Sequence, residues 1–170
     1  MSSSHTSSAD WRQNTAMPMK WFKFLIWFSL FLTAFLNVSS AVQMFSQHRI
    51  VAQSIAHNTL LPEAQPFAGL ITNLYLLLAA LWLAMAVLAI VTRMQLAAYR
   101  KSGPVLLYIT FALNAALEII VMISMTWLLG KLGQPQPVPM SDFLATILSA
   151  LVFIGCNYSY FKKRSYLFDK

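Results

Sequence analysis

Four long apolar runs dominate the chain, and short polar segments separate them. Residues 24–48, 64–92 and 143–161 contain no Asp, Glu, Lys or Arg, and residues 102–130 contain only Glu118. A helix needs about 20 mostly apolar residues to cross a bilayer, and backbone groups in lipid must pair within their own segment. The pattern predicts four transmembrane helices, near 22–45, 67–91, 105–129 and 143–161.

The basic residues are distributed unevenly around these four spans. If the chain crosses the membrane four times, Arg49 and Lys131 lie on one side and the other basic residues share the opposite side. Those others are Arg12, Lys20, Lys23, Arg93, Arg100, Lys101, Lys162, Lys163, Arg164 and Lys170. Basic residues are enriched on the cytoplasmic side of membranes. We therefore expect an all-α fold, a four-helix antiparallel bundle with both termini in the cytoplasm.

Composition favours the same class of protein. Hydrophobic residues make up 58% of the chain and charged residues only 10%, whereas soluble domains carry about 25% charged residues. The net charge of +7 does not indicate nucleic acid, because the basic residues lie between apolar runs and form no continuous face. We expect them to contact anionic lipid headgroups at the cytoplasmic face. The strongest candidates are Arg100, Lys101, Lys162, Lys163 and Arg164.

Two segments outside the spans carry their own predictions. Residues 1–19 are rich in Ser and are predicted to be a disordered tail before a transmembrane domain at 20–170. Residues 46–66 mix apolar and polar positions, which favours a short helix lying on the outer surface. A cleaved signal peptide is the less favoured interpretation of the first span, because its apolar run is long and Asn37 interrupts the end.

Polar residues inside the spans form stripes. Thr110, Asn114 and Glu118 are spaced by four and therefore share one face of the third span. With a rise of about 1.5 Å per residue, the depth of Glu118 matches two polar positions, Thr33 of the first span and Ser149 of the fourth. Asn37 of the first span lies about one turn further out, still within reach of the same group. The six residues are predicted to form one intramembrane polar cluster.

Glu118 is the position at which chemistry is expected. A charge at the centre of a bilayer costs at least about 2.5 kcal/mol, and no Lys or Arg lies within a predicted span to pair with it. We expect a neutral Glu118 that is hydrogen-bonded to Asn114 and to a hydroxyl of a neighbouring helix. Two interpretations stay open, a polar link between helices and a proton or cation site in a transport path. Trp82, near mid-membrane, is expected to pack between helices rather than to mark a ligand site.

Three stretches resemble a known group of proteins. They are KWFKFLIWFSLF at Lys20–Phe31, TRMQLAAYRKSGP at Thr92–Pro104 and NYSYFKKRSYLF at Asn157–Phe168. Together they resemble small bacterial four-helix membrane proteins of unknown function, which begin close to the position of Met19. The resemblance implies a multi-pass protein of the bacterial plasma membrane with a dispensable tail. It transfers no functional residue, because no activity is attached to the group.

The expected function is non-enzymatic. The chain has no nucleophile motif and no glycine-rich phosphate loop, and its one cysteine, Cys156, cannot form an internal disulfide. His48 and His57 are too few ligands for a metal site, so neither a metal nor a cofactor is expected. The leading hypothesis is an accessory or assembly subunit that contacts a partner membrane protein or a second copy of itself. The alternative is a small proton-linked transporter or channel that uses Glu118.

Overall fold

The fold consists of four long helical spans. The computed structural model describes residues 20–57, 66, 68–131, 140–165 and 168, and every regular element within them is helical. The first span joins three segments, namely α1 (Lys20–Phe24), a π-helical turn (Leu25–Ser29) and α2 (Leu30–His57). The other spans are α3 (Ala68–Ala97), α4 (Ser102–Lys131) and α5 (Met140–Lys162). All four spans are long and apolar enough to cross a membrane, which confirms the predicted helices at this level.

The first span is longer than its apolar run suggests. The helix α2 continues without interruption to His57, so the prediction of a separate surface helix is wrong for residues 46–57. The chain has no Gly or Pro between residues 20 and 57, and therefore nothing in the backbone ends the helix earlier. At about 1.5 Å per residue, the 28 residues of α2 span about 42 Å, more than the roughly 30 Å of a hydrocarbon core. The predicted tail, residues 1–19, lies outside the described residues.

Aromatic rings join three parts of the chain at one end of the bundle. The ring of Phe22 lies 5.2 Å from that of Tyr99, 6.4 Å from that of Phe161 and 5.9 Å from that of Phe168. These four rings form the aromatic cluster, in which Phe22, Phe161 and Phe168 are all buried. The residues predicted to contact lipid flank it in sequence, and we call this end of the bundle the basic end. They are Arg100, Lys101, Lys162, Lys163 and Arg164.

A tight turn joins α3 to α4 at the basic end. The amide of Arg100 donates to the carbonyl of Gln95 at 3.1 Å, and the amide of Tyr99 donates to the carbonyl of Leu96 at 3.0 Å. Tyr99 has a φ of 53°, the left-handed conformation that usually belongs to glycine in this motif. A Cβ on Gly103 would lie 3.1 Å from backbone atoms of Leu96. The two helices therefore approach closely at this point, and a larger residue would require a small shift of the backbone at Leu96.

Buried polar pairs link the spans near the same end. The hydroxyls of Thr92 in α3 and Thr110 in α4 lie 2.8 Å apart, and both residues are fully buried. The indole of Trp21 donates to Oδ1 of the buried Asn157 at 3.2 Å. The Nδ2 of Asn157 donates in turn to the carbonyl of Phe153 at 2.8 Å. Such bonds hold helices together in lipid, where hydrophobic association is weak.

The fourth span packs tightly only at the basic end. Its buried residues are Asn157 and Phe161, both within the last two turns of α5. Large apolar side chains in the rest of α5 are exposed, among them Leu144, Leu148 and Leu151. Over its first turns α5 therefore stands away from the other spans, and this separation leaves space at mid-bundle.

Candidate functional site

A cavity of about 490 Å³ lies at mid-bundle, and residues of all four spans line it. Most of its wall comes from the first, third and fourth spans, and the second span contributes only Trp82. The volume falls in the range of about 300–1,000 Å³ that is usual for small-molecule sites. The lining residues are Thr33, Leu36, Asn37, Ser40, Trp82, Phe111, Asn114, Ala115, Glu118, Thr146, Ser149, Ala150 and Phe153.

The structure brings most of the predicted polar cluster together. Thr33 and Asn37 of the first span, Asn114 and Glu118 of the third and Ser149 of the fourth all line this cavity. Thr110, the remaining member, does not line it. Its hydroxyl faces α3 instead, where it donates to the carbonyl of Leu106 at 2.7 Å and contacts Thr92. Thr110 therefore contributes to helix packing on the other side of α4.

Glu118 is exposed rather than packed between helices. Its Oε2 accepts a hydrogen bond from the hydroxyl of Thr146 in the fourth span, at 3.3 Å. The expected bond from Asn114 is replaced by a local one, because the Nδ2 of Asn114 donates to the carbonyl of Thr110 at 2.9 Å. Such bonds to the preceding helical turn are a common alternative for polar side chains in helices. The carboxylate is left open to the cavity.

Glu118 is also the one ionisable residue among the described residues that line the cavity. An ionised carboxylate there has no basic side chain in this described lining to balance it. Unpaired charges within a membrane are strongly unfavourable, so the carboxyl group needs either a proton or a cation from elsewhere. The cavity is therefore chemically suited to hold one positive charge at Glu118.

Two unpaired hydrogen-bond donors belong to residues of the same wall. The Nδ2 of Asn37 and the Nε1 of Trp82 are buried and have no partner among the described residues. The two side chains are only 4% and 7% exposed. A buried donor without an acceptor costs about 1–3 kcal/mol, and such groups often mark a functional position. Both nitrogen atoms are fully buried, so these two unused donors lie behind the cavity wall and do not face the cavity.

The hydroxyl groups of the lining present acceptors to the cavity. Thr33 donates to the carbonyl of Ser29 and Ser149 donates to the carbonyl of Thr146, each at 2.9 Å. Because each hydroxyl has one hydrogen, both oxygens keep only lone pairs for other partners. These oxygens and the carboxylate of Glu118 make the polar part of the site rich in acceptors, as a cation or a donor-bearing solute requires.

Eight of the residues that line the cavity lie outside the predicted polar cluster, among them Thr146, Trp82, Phe111 and Phe153. Thr146 had a usable signal, because it lies three residues before Ser149 and so shares its helix face. Trp82 does pack between helices as expected, in a cluster with Ala41 of the first span and Leu117 of the third, but it also lines the cavity. Phe111 and Phe153, with ring centroids 4.0 Å apart, carry no signal in the sequence, because their contact depends on how α4 meets α5.

Comparison with known proteins adds no relative. The chain matches no protein-family model, no curated protein and no solved structure. Among the described residues, no group of three or more His, Cys, Asp or Glu is placed to hold a metal ion. The resemblance to small bacterial four-helix proteins stays a prediction, and the function must be argued from the cavity.

Proposed function

We propose that the protein is a small proton-linked membrane transporter and that Glu118 binds its proton and its cationic solute in turn. The observation that carries this proposal is the exposure of Glu118 to a cavity of about 490 Å³. A carboxyl group that served only to link helices would be enclosed by its hydrogen-bond partners. Glu118 instead has one described partner, the hydroxyl of Thr146, and an open side.

The proposal includes an arrangement in the membrane. The four spans alternate in direction, and both termini lie in the cytoplasm of a bacterial cell. Contacts at the basic end support this arrangement, because they join the start of the first span at Phe22 to the turn at Tyr99 and the chain end at Phe168. The basic residues beside those contacts are then all cytoplasmic, as the positive-inside rule requires.

The transport step follows from the charge of the cavity. With a proton on Glu118 the lining is neutral, and one carboxyl oxygen accepts the hydrogen bond from Thr146. Loss of the proton leaves a charge that costs at least about 2.5 kcal/mol in a membrane, unless a cation enters to balance it. Binding of the proton and binding of the cation therefore exclude each other, and this exclusion couples their movement in opposite directions.

Reconstituted protein tests the proposal. Proteoliposomes with a pH-sensitive dye inside would report proton movement after a pH gradient is imposed, alone and with a panel of small organic ammonium ions outside. Glu118→Gln should abolish proton movement that depends on the protein, whereas Asp142→Asn should preserve it, because Asp142 lies in the first turn of α5 and not in the cavity. Equal rates in wild type and Glu118→Gln, or no protein-dependent flux at any pH, would refute it.

A second candidate function is that of an accessory subunit that binds another membrane helix. The fourth span favours this candidate, because only 6% of its most apolar stretch is buried inside the bundle. The exposed positions Leu144, Leu148 and Leu151 lie on that span and could contact a further helix. Affinity purification in mild detergent followed by native mass spectrometry tests this candidate. Recovery of only the monomeric chain would count against it.

A further inference from the structure

The π-helical turn of the first span changes the hydrogen bonding of one carbonyl group. The amide of Leu30 bonds to the carbonyl of Leu25, five residues back, and so is not available to Ile26 as it would be in an α-helix. The Nε of Arg93 in α3 donates to the carbonyl of Ile26 at 3.1 Å. Turns of this kind occur frequently at functional sites. Here the turn attaches an arginine side chain of the second span to the backbone of the first.

A second contact fixes the orientation of the same guanidinium group. Its central carbon lies 4.8 Å from the centre of the Trp27 ring. Trp27 is 70% exposed, so its ring stands at the surface of the bundle. A planar guanidinium held by a hydrogen bond at Nε and by an aromatic ring presents its two terminal nitrogens as a fixed fork.

The terminal nitrogens of Arg93 have no acceptor among the residues that the structure describes. The two acidic residues of the described chain are Glu118, in the mid-bundle cavity, and Asp142, in the first turn of α5. Neither forms an ion pair with Arg93. The charge of this arginine is therefore balanced by something other than a described side chain.

The position of Arg93 along its helix indicates which kind of group balances its positive charge. It lies four residues before the end of α3, or about 6 Å along the axis, a depth that the proposed membrane arrangement places where acyl chains meet headgroups. Lys23 is exposed and lies four residues before Trp27, about one turn away on the first span. The surroundings thus combine positive charge with an exposed indole, and indoles favour the membrane–water interface.

We propose that Arg93, with Trp27 and Lys23, forms a binding site for the headgroup phosphate of an anionic phospholipid such as phosphatidylglycerol. The fork of Arg93 binds two phosphate oxygens, Lys23 adds charge, and Trp27 supports the guanidinium group. A zwitterionic headgroup is disfavoured because its ammonium group would lie among basic side chains. The site is separate from the Glu118 cavity and from the five basic residues expected from the sequence to contact lipid.

Native mass spectrometry of the detergent-purified protein, titrated with phosphatidylglycerol or phosphatidylcholine, tests this site. Wild type should bind one molecule of phosphatidylglycerol more tightly than phosphatidylcholine. Arg93→Gln should weaken that binding roughly tenfold, because both charge-assisted hydrogen bonds are lost. Arg49→Gln is the matched control, since it removes one exposed positive charge outside both the proposed site and the five residues expected to contact lipid, and should change the affinity less than about twofold.

Two further variants separate a shaped site from general charge attraction. Arg93→Lys keeps the charge but loses the fork and the stacking, so it should still weaken binding by roughly threefold or more. Trp27→Leu alters an exposed side chain that the fold does not need, and it should weaken binding without changing the melting temperature. Equal losses in Arg93→Gln and Arg49→Gln, wild-type binding by Arg93→Lys, or equal affinity for the two lipids would overturn the proposal.

Discussion

The hydroxyl pair between the second and third spans allows an asymmetric prediction. The Oγ1 of Thr110 lies 2.7 Å from the carbonyl oxygen of Leu106 and 2.8 Å from the Oγ1 of Thr92. A hydroxyl has one hydrogen, and a carbonyl can only accept. Thr110 therefore donates to Leu106 and accepts from Thr92, so the two threonines have different roles although they form one pair.

This difference sets the expected costs of replacing each threonine with valine, which has nearly the same shape. Thr92→Val removes one hydrogen bond and leaves the donor of Thr110 satisfied. It should lower the free energy of unfolding by about 0.6 kcal/mol, the average for such bonds in membranes. Thr110→Val removes both bonds and leaves the buried hydroxyl of Thr92 without its acceptor. We expect a cost of about 1–2 kcal/mol, because an unsatisfied buried group adds its own penalty.

Reversible unfolding in mixed detergent micelles, followed by circular dichroism, measures both costs. The double variant should cost less than the two single variants added together, because Thr92→Val removes the hydroxyl that Thr110→Val leaves unsatisfied. Thr126→Val is a control in the same helix, since its hydroxyl bonds only to the carbonyl of Met122. A Thr92→Val cost equal to or above that of Thr110→Val, or strict additivity, would refute the proton assignment.

Two more predictions concern packing at the basic end. Gly103→Ala should lower the melting temperature, because its Cβ would lie 3.1 Å from the backbone of Leu96. Gly155→Ala is the control and should not lower it, because nothing lies within 4 Å of the new Cβ. Scanning fluorimetry measures both melting temperatures, and equal values would contradict the reasoning. Phe22→Ala should cost about 3–5 kcal/mol in the same unfolding assay, because it empties the centre of the aromatic cluster. Phe31→Ala, at a position that is 65% exposed, should cost far less, and similar losses in both would mean that the cluster does not hold the spans together.

The elements that could be predicted from the sequence are those that a lipid environment requires. Runs of about 20 apolar residues must be helical in lipid, so the four spans followed from their length alone. Polar side chains in lipid must face protein or a cavity, so depth matching was enough to select Thr33, Glu118 and Ser149 for one site. The end of the first span was not predictable from apolarity, because α2 continues to His57 through polar residues that favour a helix equally well.

Other features depend on contacts that leave no pattern in the sequence. Thr110 and Glu118 share a helix face by spacing, but only the way in which α3 meets α4 turns Thr110 away from the cavity. The left-handed Tyr99 stands where glycine is usual, and its ring contacts in the aromatic cluster are tertiary. The bond from Arg93 to Ile26 requires the π-helical turn, which no spacing of apolar residues indicates.

Proton exchange at Glu118 tests the central claim most directly. The protein would be reconstituted in lipid nanodiscs in acidic buffer, and the infrared band of the carboxylic C=O group would be followed after transfer from H2O to D2O. Subtracting the spectra of Glu118→Gln isolates this one group. We predict a prompt isotope shift of the band, because the carboxyl group is exposed and lines the cavity and can therefore exchange its proton with water. A band that keeps its position would mean a sealed hydrogen bond between helices, and would contradict the proposed transport role.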